Sequence, residues 1–352
     1  MPAPLPNPIE VIAPNIKRRL SGVTATVVRL VPVQARMVGI VTTGPGLPDF
    51  LPHLPLWRVA TLPNDRWRVF HARRNIEMLL GVVLRYGFRR QLRLLFTSPE
   101  QRWHTRYTRW LMRRMDGIVA TTPQAASYLL YPNTVVMHGV DCEVFHPTAD
   151  KAALRAQLGL PAGTIMGCFG RIRAQKGVDV LIDAAIALMP TRPDLTLVFT
   201  GRVTPKEQGF YAEQQAKIAA ANLNERIRFL GELPWEVLVQ HYQSLDLFVA
   251  PARWEGFGLT PLEAMACGIP AVCATVGAYQ ALINDSVGAL VPADDVPALT
   301  RALADWIDDP ARRAAANTRE HVLAHHNITN EAETLVALYR LLIATGSLID
   351  PQ

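Results

Sequence analysis

Two carboxylates eight positions apart, Glu255 and Glu263, flank a glycine-interrupted turn and a proline in RWEGFGLTPLEA, residues 253–264. Gly256 and Gly258 let the backbone approach a ligand closely, and free amides near a helix start face a phosphate well. Thr260, Pro261 and Glu263 make a capping-box pattern, with Thr260 as N-cap, which gives Glu263 a purely structural explanation. Glu255 has no such local partner. It is either a solvated loop carboxylate or an acceptor for sugar hydroxyls.

A second cluster lies upstream in CFGRIRAQKGVDVLI, residues 168–182. A strand ends at Gly170, Arg171 and Lys176 follow in a short loop, and a helix starts near Gly177 or Val178. The guanidinium can bridge two oxygens, the ammonium adds a point charge, and first-turn amides donate, which suits a diphosphate. Two solvated cations on a surface loop are the alternative.

The elements that must position these groups alternate along the chain. Its 352 residues exceed what one core usually supports, so two domains are expected. In the first half, 9–14, 37–48, 67–72, 117–123 and 134–141 read as strands, 21–34 as a loop entering a helix, and 74–95 and 100–115 as amphipathic runs. The alternation restarts with strands at 164–172, 195–201, 226–233, 245–252 and 269–275, and helices at 178–189, 235–244 and from 260. Strands alternating with helices predict an α/β class with two doubly wound parallel sheets. Ligands bind such sheets beyond the carboxyl ends of the strands, where both motifs fall. The Pro-containing segment around 146–161 marks the boundary. The expected domains are 1–148 and 149–330, with a helical tail, 331–352, that returns to pack on the first.

The net charge of +6 is unevenly spread. Residues 1–150 hold 19 Lys and Arg against 9 Asp and Glu, and the remainder holds 17 against 21. The basic first half suits an anionic partner. In RWHTRYTRWLMRR, residues 102–114, Arg102, Arg106, Arg109 and Arg113 form a helical stripe beside Trp103, Tyr107 and Trp110. Either these aromatics sit at an anionic membrane surface, or they are buried on a sheet-covering helix with the arginines solvated. No recognisable nucleic-acid motif accompanies the charge, so nucleic acid is not expected as a partner. No leader pattern and no run of about 18 apolar residues stands out, and the four cysteines lack metal-ligand spacing. The expected location is cytoplasmic, peripheral on the inner face of the cytoplasmic membrane.

On EGFGLTPLE and the preceding GRIRAQKG, about 80 residues apart, the chain resembles glycosyltransferase family 4, the retaining GT-B enzymes. That resemblance implies two Rossmann-like domains facing a cleft, with the nucleotide sugar held mainly by the second. It also implies that Glu255 contacts the donor sugar and Glu263 the ribose. Gly170 ends the strand before Arg171 and Lys176, which would hold the diphosphate, while Gly256 and the amides of Phe257, Gly258 and Leu259 would lie along sugar and phosphate. In the first half, Ser21, Gly22 and Val23 stand where the family usually carries a glycine pair, so the acceptor-side loop departs from its pattern. FHARRNIEMLLG, residues 70–81, puts His71 at a strand end with Arg73 and Arg74 behind it; the family role for such a histidine is to face the donor sugar across the cleft. Together with APNIKRRLSGVT, this stretch resembles the lipopolysaccharide inner-core mannosyltransferases of α-proteobacteria. These imply GDP-mannose as donor and a Kdo-containing lipid A precursor as acceptor.

The expected activity is thus a retaining sugar transfer in which Arg171 and Lys176, rather than a metal, meet the charge of the leaving diphosphate. No Asp-x-Asp motif is present, and no cofactor is expected. Front-side displacement, the leaving phosphate oxygen taking the acceptor's proton, comes from the family. Two alternatives share the fold: a sugar-nucleotide epimerase, and a non-catalytic nucleotide-sugar-binding protein at the membrane. A nicotinamide dehydrogenase is disfavoured, because GPGLPD and GFGLTP both fail the Gly-x-Gly-x-x-Gly turn.

Overall fold

A computed structural model describes residues 4–17 and 22–348. Contacts divide the chain into two compact units. The first comprises the described residues up to His138 together with those from Ile328 onward; the second is Gly139–Asn327.

The first unit holds a six-stranded parallel sheet of β1 (Val11–Pro14), β2 (Ile40–Thr43), β3 (Arg68–Ala72), β4 (Leu92–Ser98), β5 (Gly117–Ala120) and β6 (Thr134–Val135). Its order is β2-β1-β3-β4-β5-β6. Strands covered by helices on both faces read as continuous apolar runs, and Val11–Pro14 is buried throughout. Alternate side chains serve opposite faces: Val11 and Ala13 join the core under helices Gly22–Gln34 and Ile328–Thr345, while Ile12 joins the other.

The second unit repeats the architecture with β7 (Thr164–Phe169), β8 (Leu195–Thr200), β9 (Ile227–Phe229), β10 (Leu247–Ala250), β11 (Ala271–Ala274) and β12 (Gly288–Val291). The order β12-β11-β10-β7-β8-β9 is the Rossmann one, whereas the first unit has the flavodoxin-like order. The strand order therefore reverses between β1 and β3 in one unit and between β7 and β10 in the other.

Several elements differ from the sequence expectations. The run 74–95 is a helix, Asn75–Val82, then a π-turn, Val83–Gly87, and then most of β4, a central strand that the apolar periodicity concealed. Residues 134–141 keep only a two-residue strand. The first boundary lies at 138/139 rather than 148/149, because the ring of Phe145 packs edge-on against Trp235 and Tyr242, and the Val140 amide donates to the His326 carbonyl at 2.8 Å. Return to the first unit begins at Ile328, three residues before the expected start of the tail.

Helix Arg106–Met112 presents its aromatics outward: Trp103 just before it is 65% exposed, Tyr107 48% and Trp110 43%. Burial of these rings is thereby corrected. Arg102 precedes the helix and pairs with Glu100 at 2.9 Å. The neighbouring helix and π-turn expose Ile76, Leu79, Val83 and Tyr86, and Asn75 Nδ2 donates to Thr108 Oγ1 at 2.9 Å between the two helices.

Candidate active site

In the second unit both motifs fall at the reversal of strand order. β7 ends at Phe169, and Gly170 through a short turn, Ala174–Lys176, leads to helix Val178–Leu188. Gly177 has φ 67°, and a Cβ there would lie 1.9 Å from the Pro251 carbonyl oxygen, so the loop after β7 touches the loop after β10 only if residue 177 is glycine. Arg253 binds the two loops together. Its amide donates to the Gln175 carbonyl at 2.9 Å, its guanidinium grips both Asp179 oxygens at 2.8 Å, and its Nε meets Asp294 at 2.6 Å.

On this frame the two sequence motifs make direct contact. The Lys176 ammonium is ion-paired with Glu255 Oε2, and Glu255 Oε1 accepts from the Gly256 amide at 3.1 Å. Arg171 stands exposed beside them and forms no hydrogen bond or ion pair among the described residues. Gly170, Arg171 and Lys176 line a pocket with Phe169, Ala252 and Tyr279. Gly258 has φ 80°, and a Cβ there would come within 2.5 Å of the Tyr279 ring. Phe257 is buried, and Gly256, Gly258 and Leu259 are half-buried. Burial, with Glu255 nearby, pushes the Tyr279 hydroxyl well above its ordinary range, so it stays protonated. Burial also pushes the Cys168 thiol up to about 12, which leaves it inert at neutral pH.

The expected capping box does not form. Leu259 takes the cap position, helix Thr260–Ala266 has no side-chain cap, and Thr260 shares a hydrogen bond with Tyr279. Glu263 is buried one residue beyond the box position and accepts from the Tyr242 hydroxyl at 2.7 Å. Tyr242 is itself clamped by the rings of Phe145, Phe169 and Phe248. The shift by one residue replaces a local capping role with a long-range one.

The first unit carries its polar groups at its own strand-order reversal. Arg74 donates to Asn15 Oδ1 at 2.9 Å, to Thr24 Oγ1 at 2.9 Å and to Glu77 at 2.7 Å. Ser21 lies outside the described residues; Gly22 opens the helix Gly22–Gln34, and Val23 is half-buried in its first turn. His71 is only 1% exposed. Its Nδ1 faces the Tyr339 hydroxyl at 2.7 Å and its Nε2 the Thr97 hydroxyl at 2.6 Å. Gln34 Nε2 donates to the Tyr339 oxygen at 3.0 Å and the Arg73 side chain hydrogen-bonds it too, which fills both lone pairs, so the Tyr339 proton goes to Nδ1 and the His71 Nε2 proton to Thr97. Burial, reinforced by Arg73, holds this histidine well below its ordinary pKa, so it is neutral. The ring is thus enclosed with both nitrogens engaged, and it holds Tyr339 and Arg73 in place while lining a small cavity. Asn15, Tyr339, Tyr242, Arg253 and Tyr279 went unremarked in the sequence; only the strand-end places of Asn15 and Arg253 could have marked them.

Residues 150–321 match the family model for glycosyl transferases group 1. The chain is 47% identical over 345 residues to a lipopolysaccharide core biosynthesis mannosyltransferase LpcC from Rhizobium leguminosarum bv. viciae, covering 95% of this chain and 97% of the relative. It is 46% identical over 350 residues to the corresponding enzyme LpsB of Rhizobium meliloti (strain 1021), covering 95% and 98%. Among solved structures it superposes on Anabaena Alr3699/HepE in complex with UDP, with TM-score 0.82 and 19% identity over 95% of this chain and 100% of that one.

Proposed function

The chain belongs to the group 1 glycosyltransferases and has their GT-B fold, and from that premise we propose that it is a retaining mannosyltransferase of lipopolysaccharide core assembly. The relatives' names support mannose as the sugar and the lipopolysaccharide core as the acceptor, and the resemblance of FHARRNIEMLLG supports GDP-mannose as donor and a Kdo-containing lipid A precursor as acceptor. One observation carries the assignment of the donor site: the Lys176–Glu255 pair beside the exposed Arg171, at the strand-order reversal of the second unit.

A diphosphate entering there offers Lys176 a stronger anion than Glu255. Lys176 and Arg171 neutralise the diphosphate, and the freed Glu255 accepts hydrogen bonds from the sugar hydroxyls. The Phe257, Gly258 and Leu259 amides lie along sugar and phosphate, and Glu263, oriented by Tyr242, takes the ribose. As the glycosidic bond to the leaving phosphate breaks, charge grows on the phosphate oxygen, and two fixed cations stabilise it without a divalent metal. The same oxygen takes the acceptor's proton as the acceptor attacks on the face it leaves, which retains configuration. The exposed Tyr107 and Trp110 beside Arg106, Arg113 and Arg114 support an anionic membrane surface as the place where the lipid acceptor is met.

The test is incubation with radiolabelled nucleotide sugars and Kdo-lipid A in the presence of EDTA. Labelled lipid from GDP-mannose is expected. Release of only free sugar or an isomer would move the protein to the epimerase class, and rescue by magnesium or manganese would overturn the metal-free step.

A further inference from the structure

The first unit contains a cavity at the carboxyl ends of β3, β4 and β5, and one of its walls is a buried cation that forms no ion pair among the described residues. Arg73 is 6% exposed and lines this cavity with His71, Thr97, Thr26 and His138. A guanidinium has five N–H donors. Here they find the His71 carbonyl at 3.3 Å, His71 Nδ1 at 3.4 Å and the Tyr339 hydroxyl, all neutral. Both nearby carboxylates are committed elsewhere. Glu77 accepts from the Arg73 backbone amide at 2.8 Å and holds the Arg74 guanidinium at 2.7 Å. Glu331, on the cavity wall, is paired with His138 at 2.8 Å. Arg73 itself has no ion pair among the described residues.

A buried charge without a partner is costly, and removal from water makes any anion that reaches it bind more strongly. Thr26 and His138, on the cavity wall, are half-buried rather than fully enclosed. His71 Nδ1, which accepts from the Tyr339 hydroxyl, also lies 3.4 Å from the Arg73 guanidinium, and the ring, wedged between Thr97 and Tyr339, holds the guanidinium in place. We infer that this cavity is the subsite for an anionic group of the acceptor, a carboxylate or a phosphate, with Arg73 as its binding residue. The assignment to the acceptor rests on the transferase reading above; the anion site itself does not.

Melting curves and kinetics of the full chain, wild type against Arg73→Gln and Arg73→Lys, test it. Free Kdo supplies the carboxylate in one titration and inorganic phosphate the other anion in a second. One of the two raises the wild-type melting temperature, and that shift is lost in Arg73→Gln and partly kept in Arg73→Lys. Without ligand, Arg73→Gln melts at or above the wild type, because an uncompensated buried charge is gone. In transfer assays its KM for Kdo-lipid A rises on the order of tenfold while the KM for GDP-mannose holds. An unchanged acceptor KM, or a variant that melts lower and loses donor affinity as well, would make Arg73 a structural arginine and overturn the subsite. If the wild type transfers to no acceptor but still shows an Arg73-dependent anion shift, the transferase reading fails and the anion site stands.

Discussion

Lys176 and Glu255 are each other's partner, and that contact makes their loss asymmetric. Lys176→Ala removes a charge-assisted contact to the diphosphate and frees Glu255 as a like-charged neighbour of the incoming phosphates. Nucleoside-diphosphate affinity should fall by about 1.5–3 kcal/mol, roughly 10- to 150-fold, in a calorimetric titration. Glu255→Gln removes a carboxylate while relieving Lys176 of its competitor. GDP should then bind at least as tightly as to the wild type, while turnover falls because the sugar is poorly placed. A Glu255→Gln enzyme that transfers sugar at the wild-type rate would leave RWEGFGLTPLEA as a mere connection between strand and helix.

At the scale of elements, helix Arg106–Met112 and its neighbour Asn75–Val82 combine two kinds of surface usually kept apart. Exposed arginines favour anionic headgroups. Exposed Tyr107, Trp110, Ile76 and Leu79 favour the boundary between headgroups and acyl chains. The Arg114 guanidinium lies 3.7 Å from the Trp110 ring centroid, which lets a cation share the depth of an interfacial aromatic. Binding to anionic vesicles should weaken steeply with salt, as the Debye length shrinks from roughly 10 Å at 0.1 M to 3 Å at 1 M. Vesicle sedimentation of wild type and of a Tyr107→Ser, Trp110→Ser variant checks both parts: the variant should lose the binding that survives high salt. Equal binding to neutral and anionic vesicles would exclude the electrostatic part.

For the molecule as a whole, acid stability should be limited by a histidine cluster in the second unit. His321, His325 and His326 have ring centroids 5.2–6.3 Å apart. Burial, and then the neighbouring His321 and His325, lower the His326 pKa from 6.5 to about 4. The unfolded chain therefore binds this proton more readily than the folded one. The contribution is full above pH 6.5 and is lost as pH falls through about 4, at most about 3 kcal/mol. Urea unfolding between pH 7.5 and 4.5 should show a steeper loss in the wild type than in His326→Gln; superimposable pH profiles would refute the assignment.

What the sequence determined by itself is what local pattern encodes. Continuous apolar strands alternating with helices announced two parallel α/β units, and glycine and cations after a strand placed GRIRAQKG and EGFGLTPLE at strand-to-helix turns. Tertiary structure decided everything carried by contacts between distant residues. Lys176 meets Glu255 across 79 positions, Tyr242 meets Glu263 across 21, and Tyr339 meets His71 across 268. Because of these contacts Glu263 is anchored by an aromatic cluster instead of capping its helix, and His71 is held between Tyr339 and Thr97. The first unit boundary moved for the same reason, since the ring of Phe145 belongs with Trp235 and Tyr242. β4 was hidden because a buried central strand and an apolar helix face have the same composition over a few residues, and only its pairing with β3 and β5 distinguishes them.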